Sequence, residues 1–322
     1  MHELKHYQNR FSDYLDSVVT DREPKGLYDP VKYILQLGGK RLRPVLTLMA
    51  CDCFGGDIEE AMAAAASIEV FHNFTLVHDD IMDEAPLRRG HETVHIKWDL
   101  NTGILSGDAM LILAYKCLEN YDPDRLNPIF KSFNKTALEI CEGQQYDVDF
   151  ENRNDVSLDE YLKMIKFKTA VLVGTALRFG AIIAGASETN QNLIEEFGIN
   201  LGLAFQIQDD YLDAFGDPKS FGKQVGGDII ENKKTFLYLK SIELMDNPGE
   251  LIGLFTNDAT DKLQKVETVK SIFVACGADR ATQTEIKKYT DSAFEVLNRL
   301  SIPDNNRTYF KAFGEQLMNR TY

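Results

Sequence analysis

The chain has 322 residues, of which 44% are hydrophobic and 26% charged, as in a globular protein that buries a large core. Its formal net charge of −15 disfavours non-specific nucleic-acid binding, because the phosphate backbone would repel it. No stretch approaches the roughly 18 apolar residues of a membrane-spanning helix, and the first residues lack a signal-peptide core. We therefore expect a cytoplasmic protein that neither spans membranes nor binds nucleic acid. Anionic substrates would need local basic clusters or bound cations.

Apolar spacing predicts helices along nearly the whole chain, and the alternation typical of strands is rare. Residues 61–83 contain neither Gly nor Pro and predict one long helix. Residues 158–185 and 192–214 predict two further long helices, both largely buried. Ser157 and Glu160 predict a capping box at the start of the first of these.

Clusters of Gly, Pro, Asn and Asp separate the predicted helices, for example at residues 85–90 and 121–128. None is long enough, or simple enough in composition, to be a domain linker. The sequence therefore predicts an all-α fold, with one domain over residues 1–322.

An aspartate cluster ends the predicted helix 61–83. Asp79 and Asp83 are four residues apart, so they share a helix face, next to Asp80. Like charges repel there, and the C-terminal end of a helix disfavours anions. A bound divalent cation would reverse this cost, because carboxylate oxygens are its natural ligands.

A second cluster with the same spacing, Asp209-Asp210-Tyr211-Leu212-Asp213, ends another apolar helix. One such cluster is weak evidence, because acidic helix ends are common on solvated surfaces. Two copies favour paired sites in which Mg²⁺ ions bridge carboxylates to a substrate diphosphate.

Basic residues are concentrated near these clusters. The segment Gly38–Pro44 reads GGKRLRP, and its glycines would let a ligand approach the backbone closely. Arg88 and Arg89 follow the first aspartate cluster, and Lys168 lies on a predicted buried helix, where an unpaired ammonium would be costly. Each of these residues alone is typical of a solvated surface, but their position next to the aspartate clusters favours a site for an anion.

Together these motifs resemble the trans-isoprenyl diphosphate synthase (polyprenyl synthetase) family. GGKRLRP, LVHDDIMDEAPLRRG, FQIQDDYLD and GKQVGGDIIENKKT occur in family order over about residues 38–235. The resemblance implies a single large helical bundle around a central cavity, of the type I isoprenoid synthase kind, and a homodimer.

The resemblance also implies a role for each matched residue. Isopentenyl diphosphate would bind Lys40, Arg43, His72 and Arg89, and Arg320 could close this site. Asp79, Asp83 and Asp209 would hold Mg²⁺, three ions per active site. The allylic diphosphate (dimethylallyl, geranyl or farnesyl) would bind Arg88, Lys168, Gln206, Lys223 and Lys233. Thr169 and Gln206 would also face the developing carbocation.

The implied reaction is a head-to-tail condensation. The allylic diphosphate loses pyrophosphate, the isopentenyl double bond attacks the cation, and a proton is then lost. A dry, apolar cavity would shield the cation from water.

Product length would depend on bulky side chains one to two turns before Asp79. Phe74 lies five residues before Asp79, and Thr75 follows Phe74. Phe71 lies three residues before Phe74, further from Asp79. By the family pattern, this arrangement and the two residues between Asp80 and Asp83 favour geranylgeranyl diphosphate (C20). Farnesyl diphosphate (C15) and longer products are the alternatives, and the rings could equally be core aromatics.

Two other functions share some of these features. A class I terpene cyclase also ionises a diphosphate, but its second metal motif normally carries Asn or Asp, Ser or Thr, and Glu. A non-catalytic partner subunit of a hetero-oligomeric synthase should have lost part of an aspartate cluster, whereas both are intact here.

Overall fold

The computed structural model describes residues 2–216, 226–256 and 261–319. Over these residues the secondary structure is almost entirely helical, as the sequence predicts. The helices are α1 Leu4–Val18, α2 Lys25–Gln36, α3 Leu42–Cys53, α4 Ile58–Met82, α5 Val94–Lys97, α6 Leu100–Lys116, α7 Pro123–Glu151, α8 Leu158–Ile165, α9 Val171–Ile183, α10 Glu188–Phe215, α11 Gly227–Ile230, α12 Phe236–Leu244, α13 Gly249–Thr256, α14 Lys262–Cys276, α15 Ala278–Arg299 and α16 Asp304–Met318. Two-residue strands, β1 Leu87–Arg88 and β2 His91–Glu92, pair antiparallel.

The chain forms two compact units. The first comprises Met1–Phe133 and Thr175–Asn192, and the second comprises Asn134–Gly174 and Leu193–Tyr322. The all-α prediction is confirmed, whereas the single domain and the central cavity stay predictions. No helix in the described part of the chain is long and apolar enough to cross a membrane.

In the first unit, α4 packs closely against α6 because α6 carries glycines at the contact. A Cβ atom at Gly107 would clash with the imidazole ring of His78, and one at Gly103 would lie 2.9 Å from Ile81 Cδ1. These small residues let the end of α4, with the first aspartate cluster, lie directly against α6.

In the second unit, the long helix predicted over 158–185 is interrupted. The segment begins with the predicted capping box, in which Glu160 N donates to Ser157 Oγ at 3.2 Å. A π-helical turn, Lys166–Ala170, then separates α8 from α9. Such a turn inserts an extra residue into the helix and is frequent at functional sites. Hydrophobic periodicity does not reveal it, because the residues on either side keep a helical pattern.

The predicted connection at residues 121–128 is also partly wrong, because α7 begins at Pro123 and includes Pro128. Pro123 is the first helical residue, where a backbone N–H would have no partner within the helix. Pro128 lies in the second turn, where it removes one intrahelical hydrogen bond. The predictions for residues 61–83 and 192–214 are confirmed by α4 and α10.

Candidate active site

Basic side chains of the first unit gather around the segment between α2 and α3. Gly39 has a φ of 126°, which favours glycine, and a Cβ atom there would lie 2.9 Å from Arg89 Cζ. Arg89 also donates to the carbonyl oxygen of Gly38. Glycine at position 39 therefore lets the guanidinium of Arg89 lie flat against the segment that carries Lys40.

Arg43 and His72 meet in the same group. Arg43 Nη1 lies 3.2 Å from His72 Nε2, and Arg43 Nε is buried without a hydrogen-bond partner. Burial, followed by the charges of Arg43 and Arg89, lowers the pKa of His72 well below its ordinary value. The imidazole is therefore neutral, so its Nε2 can accept from Arg43. A cation with an unsatisfied N–H favours an anionic ligand.

Arg88 is engaged by the first aspartate cluster itself. Its Nε donates to Asp80 Oδ1 at 2.9 Å and Oδ2 at 3.2 Å, and its Nη2 also donates to Oδ1. Burial raises the pKa of Asp80, and the ion pair with Arg88 opposes that shift. Asp79 and Asp83 lie one turn apart at the end of α4, where Asp83 is the C-terminal cap.

The residues predicted to set product length lie in an aromatic group of the first unit. Phe71 is buried, with its ring centroid 5.5 Å from that of Phe74 and 5.1 Å from that of Phe133. Phe74 is half-buried and lies 4.9 Å from the ring of His78, one residue before Asp79. The Thr75 hydroxyl donates to the carbonyl oxygen of His72 at 2.8 Å.

In the second unit, the π-helical turn presents Lys168. Its Nζ donates to Asp147 Oδ2 of α7 at 2.5 Å, so this ammonium is paired, as its position requires. A Cβ atom at Gly143 would clash with the backbone nitrogen of Lys168, so α7 and the turn touch backbone to backbone. Thr169, the next residue in the turn, is half-buried.

The middle aspartate of the second cluster faces protein groups. Asp210 Oδ2 accepts from the buried hydroxyl of Tyr161, and Oδ1 lies 3.4 Å from Gln206 Nε2. Desolvation and the charge of Asp228 raise the pKa of Asp210, although both hydrogen bonds oppose this. Asp209 precedes it on α10.

The last aspartate of this cluster, Asp213, accepts from the backbone N–H of Asp228 at 3.0 Å. Burial and the charge of Asp228 raise the pKa of Asp213 to about 6. Lys233 Nζ lies 3.5 Å from Asp228 Oδ1 and 2.8 Å from Glu231 Oε2. Burial lowers the pKa of Lys233, but these carboxylates outweigh it, so the ammonium stays charged.

The carboxylates suit a hard divalent cation, because oxygen ligands are preferred and mutual repulsion is relieved by a positive ion. Burial is the main cause of the raised pKa of Asp213, and the charge of Asp228 adds to it. Within residues 2–216, 226–256 and 261–319, no group of three or more His, Cys, Asp or Glu side chains already has metal-binding geometry.

The structure thus brings Arg43 and Arg89 close to His72, and it brings Gln206 beside the second aspartate cluster. The Lys40 side chain stays a prediction for this group. Lys223 and Arg320 lie outside the described residues. Sequence reasoning missed four buried or paired partners, namely Glu69, Asp80, Asp147 and Tyr161. For Glu69 the sequence did hold a signal, because a carboxylate within an apolar helical stretch indicates a buried charge that needs a partner.

Comparison with known proteins decides the family. The polyprenyl synthetase family profile matches residues 24–273. The chain belongs to this family. It is therefore a prenyltransferase, as predicted from the sequence, and enzymes of the family use a divalent metal ion.

Individual relatives agree along nearly the whole chain. A geranylgeranyl pyrophosphate synthase crystal structure is 57% identical, with a TM-score of 0.96 and full coverage of both chains. The geranylgeranyl pyrophosphate synthase of Geoglobus acetivorans is 36% identical over 97% of this chain and 96% of its own length. The geranylfarnesyl diphosphate synthase of Natronomonas pharaonis is 40% identical over 94% and 92%.

Proposed function

We propose that the enzyme condenses isopentenyl diphosphate with an allylic diphosphate, releases pyrophosphate and makes geranylgeranyl diphosphate (C20). The observation that carries this proposal is the basic group of the first unit. Arg43 and Arg89 lie there near a neutral His72, and Arg43 Nε has no hydrogen-bond partner within the described protein. This arrangement suits a diphosphate, whose oxygens accept from several guanidinium N–H groups at once.

Mg²⁺ is the proposed metal ion, with three ions per active site. Asp79, Asp83 and Asp209 would hold it, and Asp80 and Asp210 contact protein side chains. When bound, the metal stabilises the negative charge that develops on departing pyrophosphate.

Lys168 and Lys233 would bind the allylic diphosphate, together with Arg88, Gln206 and Lys223. The pKa of Lys233 is raised, so its ammonium carries a full charge at neutral pH. Asp147 holds Lys168 in a defined position, which supports a fixed contact to substrate rather than a solvated lysine. Thr169 adjoins Lys168, and its hydroxyl would face the allylic cation with the Gln206 amide.

The C20 product is supported by two similar proteins named for geranylgeranyl pyrophosphate. The aromatic group of Phe71, Phe74 and Phe133 supplies bulk where a growing chain would end, with Thr75 beside it. A C25 product is the alternative that the name of the Natronomonas relative favours. A C15 product would result if bulky side chains ended the growing chain nearer to Asp79.

We also propose a homodimer. Helix α6 exposes large apolar side chains, of which Leu105 is 58% and Ile112 65% exposed, and Leu100 and Ile104 are exposed nearby. A stripe of this kind on one helix favours burial against a second copy. Light scattering should give twice the chain mass, and a monomer at micromolar concentration would contradict the dimer. The cytoplasmic location stays a prediction from the sequence.

Pyrophosphate release tests the reaction class. Release should require an allylic diphosphate and isopentenyl diphosphate together, with a divalent cation. Release from the allylic diphosphate alone, with a hydrocarbon product, would instead indicate a terpene cyclase. No release with any C5, C10 or C15 allylic diphosphate would favour a non-catalytic subunit.

A further inference from the structure

Glu69 is a buried carboxylate in an apolar stretch of α4 and is only 2% exposed. Burial of an unpaired carboxylate is unfavourable, so its partners explain how it is tolerated. Its Oε1 pairs with Arg41 Nη1 and accepts from Asn73 Nδ2 at 2.9 Å. Asn73 Nδ2 also lies 2.8 Å from the backbone oxygen of Glu69, which fixes the amide.

Arg41 joins three helices through one guanidinium. Besides Glu69 on α4, it donates through Nη2 to the carbonyl oxygen of Leu35, near the end of α2. Arg41 itself caps the start of α3 with a φ of 47°, a left-handed conformation that is unfavourable for a residue with a side chain. The ion pair with Glu69 stabilises this conformation, and Lys40 and Arg43 lie on either side of it.

We propose that Glu69, supported by Asn73, is a positioning residue for the isopentenyl diphosphate site. It holds Arg41 and thereby fixes the backbone that carries Lys40 and Arg43. This inference rests on the proposed function, because it assigns the diphosphate to those two side chains.

A positioning role and a purely electrostatic role for Glu69 predict opposite changes in the binding of isopentenyl diphosphate. The negative charge of Glu69 raises the pKa of both Arg43 and Arg89, although burial lowers it more. Its charge therefore acts on the same cations that would attract a diphosphate. If Glu69 acted only through its charge, removal of that charge would strengthen the binding of the anionic substrate. If it acts by positioning, removal weakens binding.

The experiment measures KM for each substrate, with the other saturating, in Glu69→Gln and Arg41→Lys. Glutamine removes the charge at nearly constant shape, and lysine keeps the charge but loses the second donor to Leu35. We expect KM for isopentenyl diphosphate to rise about tenfold in each, as when a charge-assisted hydrogen bond is lost. KM for the allylic diphosphate and kcat should stay within about twofold.

Glu60→Gln is the matched control, since Glu60 lies on the same helix and pairs with Arg125 at 2.9 Å. It should leave all three kinetic constants unchanged. If Glu69→Gln does not fold, as judged by circular dichroism, Arg41→Lys decides alone. An unchanged or lower KM for isopentenyl diphosphate in the folded variants would overturn the inference.

Lys40→Ala separates this failure from a failure of the proposed function. If Lys40→Ala raises KM for isopentenyl diphosphate while Glu69→Gln and Arg41→Lys do not, the site is assigned correctly and only the positioning role is wrong. If Lys40→Ala has no effect on that KM, the assigned site is wrong, and the positioning role is refuted with it.

Discussion

Arg88 Nε donates to both carboxyl oxygens of Asp80, at 2.9 and 3.2 Å. The second aspartate of the other cluster is engaged in a similar way, because Asp210 accepts from Tyr161 and faces Gln206. In each cluster the middle carboxylate orients protein groups. Asp80 and Asp210 are therefore proposed to position protein groups, and metal binding is proposed for Asp79 and Asp209.

Metal dependence should follow this division. Chelation should abolish turnover, and Asp79→Asn or Asp209→Asn should lower kcat by about 10²- to 10⁴-fold and raise the Mg²⁺ concentration needed for half-maximal rate. Asp80→Asn should leave that concentration unchanged and instead raise KM for the allylic diphosphate, because Arg88 loses its ion pair and one of its two acceptor oxygens. Steady-state rates across a magnesium titration check both statements. Equal magnesium requirements in Asp79→Asn and Asp80→Asn would contradict the division.

Gly143 allows the backbone contact that places Lys168. Gly143→Ala should reduce the free energy of unfolding by about 1–3 kcal/mol, since its Cβ atom has no room beside the π-helical turn. In the folded fraction, KM for the allylic diphosphate should rise because Lys168 is displaced. Chemical denaturation and kinetics measure the two effects.

Gly26→Ala is the matched control for this substitution. Gly26 lies in α2, and a Cβ atom there has no neighbour within 4 Å. Alanine should be neutral or stabilising by up to about 1 kcal/mol at such a helical position. A Gly143→Ala variant as stable as Gly26→Ala would show that the close contact is wrong.

His72 should make stability depend on pH. Its folded pKa is lowered by burial and then by the nearby arginines, so below pH 6.5 the unfolded chain binds a proton that the folded chain does not. Stability from this group is present above about pH 6.5 and is lost as pH falls, by at most about 1.4 kcal/mol per pH unit. His72→Gln removes the titration while keeping an acceptor for Arg43. The free energy of unfolding of the wild type should fall relative to that of His72→Gln between pH 7.5 and pH 5. If the two free energies change in parallel with pH, the lowered pKa of His72 is refuted.

How far the sequence predicts this molecule depends on the range of the interactions. Helix α4, its closing aspartates and the capping box at Ser157 follow from local spacing, and all were predictable. The pairing of Asp80 with Arg88 was not predictable. Arg88 is placed by the hairpin of β1 and β2, whose strands are too short to show an alternating pattern in the sequence. The Asp210–Tyr161 contact joins residues 49 apart, and no local pattern reports it.

Product length should change when the aromatic group is opened. Phe74→Ala, alone and with Phe71→Ala, should lengthen the product by one or more C5 units, because the rings would no longer end the cavity. Phe54→Ala, at the end of α3, is the control and should keep the parent product. Phe71 is buried against Phe133, so its truncation should also cost about 3–5 kcal/mol of stability. If folded, active variants give the parent length, these residues are core aromatics only.

The most direct test is incubation of the purified enzyme and Mg²⁺ with labelled isopentenyl diphosphate and each of dimethylallyl, geranyl and farnesyl diphosphate. The products are then dephosphorylated and separated by chain length. We expect a labelled C20 alcohol as the main product from all three primers, and no labelled product without metal. A linear alcohol of another length as the main product would refute the C20 assignment. A main product that is not a linear prenyl alcohol, or no labelled product from any primer, would contradict the condensation itself.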